Sequence, residues 1–112
     1  PPFEELVLIA RPDRLAEDPD SIRDFISTMA RGTAEALRDP EVAAEIVAAE
    51  EGKPLTPATK AEVDATLPLL SESFRMSEEK ADRLVDWMYD QGLIKRKPPV
   101  SDLLTNEYLP QP

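Results

Sequence analysis

Three aspartates, Asp82, Asp86 and Asp90, recur every fourth residue in the stretch Glu78-Glu79-Lys80-Ala81-Asp82-Arg83-Leu84-Val85-Asp86-Trp87-Met88-Tyr89-Asp90. On a helix this spacing puts all three carboxylates on one side. A row of that kind could bind a cation or divide acid and base work between neighbouring carboxyls. The row also lies beside an apolar stripe, and Lys80 and Arg83 are within pairing distance along the helix. The reading favoured by these neighbours is a solvated, charge-paired face. Lys95-Arg96-Lys97 is the only basic cluster. It could meet phosphate or an acidic partner, but it follows a helix end, where cations are favoured by the helix dipole. Trp87, Tyr89 and Tyr108 combine an aromatic ring with a polar handle and could line a pocket. For Trp87, next to Met88 and the apolar stripe, packing is the expected role.

Composition removes most other chemistry. The 112 residues contain neither cysteine nor histidine. Disulfides, thiolate zinc sites, cysteine nucleophiles, histidine bases and Ser-His-Asp triads are therefore excluded within this stretch. No Asp-x-Asp-x-Asp-Gly calcium loop occurs. Glycine is present only at 32, 52 and 92, too far apart for a phosphate-cradling loop. The net charge of -10 argues against a nucleic-acid backbone as partner. No catalytic residue, metal ligand or cofactor site is expected, and the chain is read as no enzyme.

The elements that must position these residues are mostly helical. Glu5 to Ala10 reads as a strand, with outer bounds at 4–11: an unbroken apolar run suits a strand covered on both faces, closed by Arg11-Pro12. No second strand is apparent, so its partners must come from another copy or from other sequence. Helices are predicted over about 19–38, 40–51, 57–70 and 78–91. The signals are Asp18-Pro19, Asp39-Pro40, Thr56-Pro57 and Ser77, each a capping residue at a helix start. Inner faces are expected from Ile22, Phe25, Ile26, Met29, Ala36 and Leu37; from Val42, Ala43, Ile46, Val47 and Ala49; from Val63, Leu67 and Leu70; and from Ala81, Leu84, Val85 and Met88. Gly32 reads as a close-packing position. Pro68 should kink or end the third helix, and Gly52 and Gly92 should stop the second and fourth, Leu93 forming a hydrophobic clasp. Residues 98–112 form an extended tail with a helical turn near Ser101. Pro1, in place of an initiator methionine, suggests a start made by processing.

The order of these segments resembles a known family. The strand Phe3 to Arg11, the stretch Ala30-Arg31-Gly32-Thr33-Ala34-Glu35-Ala36 and the following Asp39-Pro40-Glu41-Val42-Ala43-Ala44 are similar to the SsuA/THI5-like (NMT1-like) substrate-binding proteins. So are Met76, the run Asp86 to Ile94, and the closing Val100-Ser101-Asp102-Leu103-Leu104-Thr105-Asn106-Glu107-Tyr108-Leu109-Pro110. The resemblance implies the C-terminal part of a two-lobed α/β periplasmic binding protein of type II, over 1–112 as one segment. Such a parent captures a small molecule, for example a thiamine-precursor pyrimidine, a sulfonate such as taurine, or nitrate. It then delivers the molecule to an ABC importer's permease outside the cytoplasm. The family's cleft residues fall mostly upstream, so no ligand residue is carried over. Two other readings stay open. One is a THI5-type pyrimidine-synthesis protein, which consumes a histidine of its own. The other is an independent helical module that oligomerises through Leu6 to Ala10.

Overall fold

A computed structural model describes residues 6–110. Five α-helices follow in order: α1 Pro12–Glu17, α2 Pro19–Arg38, α3 Pro40–Glu50, α4 Pro57–Thr66 and α5 Glu78–Asp90, with short 3-10 turns at Leu67–Leu69 and Val100–Asp102. The chain divides into two compact units, Pro1–Arg23 with Arg75–Pro112, and Asp24–Phe74.

Capping chemistry sets the boundaries. Side chains of Asp39, Thr56 and Ser77 accept hydrogen bonds of 3.2 Å from the backbone N–H of Val42, Thr59 and Lys80 respectively. Each satisfies one of the orphan donors in a first helical turn. Asp18 closes α1 and opens α2, accepting 3.2 Å from the Ser21 N–H. Hydrogen bonding to the Ser21 hydroxyl, and then to its N–H, holds the Asp18 carboxyl below its ordinary value of 3.8. The lowered value fixes the sign of the pH effect: the contribution of Asp18 is present above 3.8 and is lost as the pH falls through the folded value. The stability difference between the parent chain and Asp18→Asn is therefore expected to be constant above about pH 5 and to shrink in acid, read from urea midpoints across pH.

At the helix ends, Gly52 and Gly92 take φ of 67° and 72°. Around them Lys53 N–H reaches the Ala48 carbonyl (3.0 Å) and Leu93 N–H the Met88 carbonyl (2.9 Å), the paired pattern of a left-handed helix stop. The clasp expected of Leu93 is not made: its side chain is 61% exposed, because the backbone bonds alone complete the stop. Among the described residues Phe74 is the one non-glycine residue in the left-handed region, with φ of 57°.

Several expectations are revised. Among the described residues there is no strand. Positions 4 and 5 of the expected strand lie outside them, and Leu6 to Ala10 has no ladder partner, without which an extended run forms no sheet. Arg11-Pro12 does not simply close this run; Pro12 takes the first position of α1, a helix the periodicity did not reveal because it is only six residues long. The third predicted helix, 57–70, stops short at Thr66, and Pro68 sits in the 3-10 turn that follows.

The core of the unit Asp24–Phe74 is Ala44, Val63 and Leu67, with Ala36, Leu37 and Ala43 against it. On α3 the buried positions are Ala44 and Ala48, while Val42, Ile46 and Val47 stay exposed. Small residues let α3 and α4 approach closely, and the larger apolar residues are left on the other sides. Phe25 and Met29 of α2 are likewise exposed. Gly32 is not a packing position, since a Cβ there would meet nothing within 4 Å. Gly32→Ala is accordingly expected to raise stability by about 0.5–1 kcal/mol, seen as a higher urea midpoint, because only the helix propensity changes. In the other unit, the residues of α5 withdrawn from water are Ala81, Leu84, Val85 and Met88, the predicted inner face.

The chain exposes 8748 Å². A folded monomer of its 12.5 kDa mass exposes about 6,200 Å².

Candidate functional site

The residues singled out for chemistry gather on α5 and the segment after it. The inner stripe of α5 faces its unit, which turns Asp82, Asp86 and Asp90 outward. They are not a free carboxylate row. Asp86 is taken by Lys97, Nζ to Oδ1 2.8 Å, and Arg83 pairs with Glu79 at 3.1 Å instead of with an aspartate. No group of three acidic residues among the described ones is placed to hold a metal ion.

Of the basic cluster, Lys97 is held in two ways. It bonds Asp86, and its ammonium lies 5.1 Å from the centre of the Tyr89 ring. Hydrogen bonding to Asp86 raises the Lys97 ammonium above its ordinary value. Asp86 and Tyr89 are three residues apart on α5, so one turn of helix offers both a carboxylate and a ring face to the returning chain. The contact is exposed and adds little to stability. Its effect is to set the path of the chain leaving Gly92. Trp87 is 43% exposed, against the packing role expected of it, because the stripe of α5 passes on the other side.

The closing motif has a clear structural task. The side-chain amide of Asn106 bonds the backbone of Met76 twice: Met76 N–H donates to Oδ1 and Nδ2 donates to the Met76 carbonyl, both 2.9 Å. A primary amide sets a donor and an acceptor side by side in one plane, so it pairs with the N–H and C=O of a single residue as a neighbouring strand would. Two residues on, the Tyr108 ring lies 5.2 Å from the Arg23 guanidinium carbon of α2. Asn106 and Tyr108 thus tie the tail to the residue before the α5 cap and to the first turns of α2. The roles of Met76 and Arg23 were not legible: a backbone acceptor has no side-chain signature, and Arg23 sits among ordinary surface charges.

These contacts hold a scaffold together.

Comparison with known proteins gives one match and two blanks. No curated protein matches the chain, and no solved structure matches it. The family described as NMT1/THI5 like matches residues 1–43. This stretch takes in Leu6 to Ala10, α1, α2 and the opening of α3; the closing motif with Asn106 lies beyond it. Over residues 1–43 the chain is similar to the NMT1/THI5-like family.

Proposed function

We propose that the chain is the helical scaffold of a small-molecule-binding protein of the solute-capture kind, serving uptake outside the cytoplasm and not catalysis. The observation that carries this reading is the NMT1/THI5-like match over residues 1–43. The uncovered surface supports it: exposed area beyond that of a monomer of this mass is what a piece of a larger fold would present. In this reading Leu6 to Ala10 adds to a sheet whose other strands lie outside residues 6–110, giving the two-lobed architecture expected from the sequence. The solute is of the class of thiamine-precursor pyrimidines, sulfonates or nitrate, and an ABC permease receives it. The cleft is built by other sequence, and the described residues brace it.

The test is a thermal-shift panel on the complete polypeptide encoded by the gene, with a hydroxymethylpyrimidine, taurine and nitrate as separate probes. A ligand held only by the folded state raises its stability, by about 2.7 kcal/mol at a hundredfold excess over Kd. A shift with one class and none with the others is expected. No shift with any class, or net production of a pyrimidine by the protein itself, overturns the reading.

A further inference from the structure

Helix α3 is apolar on two opposite sides. Ala44 and Ala48 are buried, at 0% and 3% exposure, and belong to the face turned into the protein. Val42 and Ile46 are 45% and 59% exposed, and Ala49 is exposed beside them. At 100° per residue these three share one stripe, roughly opposite the buried pair. An apolar stripe on a helix is normally laid against another element. Glu45 borders the stripe on one side and Glu50 on the other, and neither has an ion pair among the described residues. The chain as a whole carries -10.

We infer that the outer face of α3 is a docking surface for an amphipathic helix of a partner protein whose apolar ridge is flanked by lysine or arginine. The apolar stripe fits the ridge, and Glu45 and Glu50 meet the flanking cations. A second copy is the poorer occupant: a twofold contact through α3 would bring the same unpaired glutamates together in a chain already strongly acidic. This inference rests on α3 alone and does not depend on the solute-binding reading.

The test uses the full chain and a labelled, helical Leu/Lys peptide of about five turns, followed by fluorescence anisotropy. A Leu/Glu peptide of the same pattern is the control. The Leu/Lys peptide is expected to bind. Val42→Ser with Ile46→Ser should weaken it roughly tenfold or more, with the circular dichroism spectrum unchanged, since both side chains are exposed. Glu45→Gln with Glu50→Gln should weaken binding a few-fold at low salt and less at high salt. Equal binding by the Val42/Ile46 variant would mean general attraction to an acidic surface and would overturn the inference. So would no binding, or equal binding of the Leu/Glu peptide. A dimer of the chain alone that Ile46→Ser abolishes would identify a second copy as the occupant and equally overturn it.

Discussion

Leu67→Ala is expected to lower stability by about 2–4 kcal/mol, the largest effect of any single truncation in the unit Asp24–Phe74. Leu67 is 9% exposed and packs with Ala44 and Val63. Its two buried companions are smaller than it is, so little can move in to fill the space: Ala44 has no side chain to extend and Val63 is stiff at χ1. The loss combines the transfer of the removed methyls with a cavity the neighbours cannot close. Against a typical total of about 5–15 kcal/mol, this is a large share. Leu69→Ala, two residues on, is the control: at 83% exposure it should change stability by less than about 0.5 kcal/mol. Urea unfolding of both variants gives the comparison. Equal midpoints for the two would mean that the Ala44–Val63–Leu67 cluster does not hold this unit.

Asn106→Ala carries the second large effect, about 1–3 kcal/mol, confined to the tail and the residues it touches. Removing the amide leaves the N–H and the carbonyl of Met76 without their partners in a half-buried place. The tail then keeps the Tyr108 contact with Arg23, the packing of Val100–Asp102 on α5 and its own turns. Amide exchange at Met76 should accelerate by roughly tenfold or more, since each 1.4 kcal/mol of local opening is a factor of ten. Asn106→Asp separates donor from acceptor. It retains an oxygen for the Met76 N–H but faces the carbonyl with a lone pair, so it should be worse at pH 7 than at pH 3, where a protonated carboxyl can donate. An exchange rate at Met76 that none of these substitutions changes would remove the tail clip as a structural element.

The helix starts were legible because capping is local. Asp18-Pro19, Asp39-Pro40, Thr56-Pro57 and Ser77 carry their own donors, acceptors and fixed φ within four residues, and the structure places helix starts at each. The left-handed stops at Gly52 and Gly92 were legible for the same reason. What periodicity could not decide was which apolar side of a helix faces inward. On α3 both choices were apolar: the sequence reading named Val42, Ala43, Ile46, Val47 and Ala49, of which Ala43 lies against the core, whereas the close approach of α4 required Ala44 and Ala48. Gly32 misled in the opposite direction: small size is needed for close packing but does not create a neighbour. The strand over 4–11 was read from a run that suits a covered strand, and a strand needs a partner that these residues do not supply. For the candidate site, the carboxylate row was placed correctly on the solvent side of α5, but its actual partner, Lys97, comes from beyond the helix and could not be read from spacing along it. Asn106 entered only through the resemblance of its motif.

The large exposed area has a calorimetric consequence. An unfolded chain of this mass exposes about 18,000 Å², so folding removes about half of it, where an ordinary monomer of the same mass removes about two thirds. The heat-capacity increment of unfolding follows the area hydrated on opening. For this chain it is smaller than its length alone would give, by roughly a fifth. Its stability curve is correspondingly flatter with temperature. Covering the apolar faces of Leu6 to Ile9 and α3 would therefore register as added curvature in that curve.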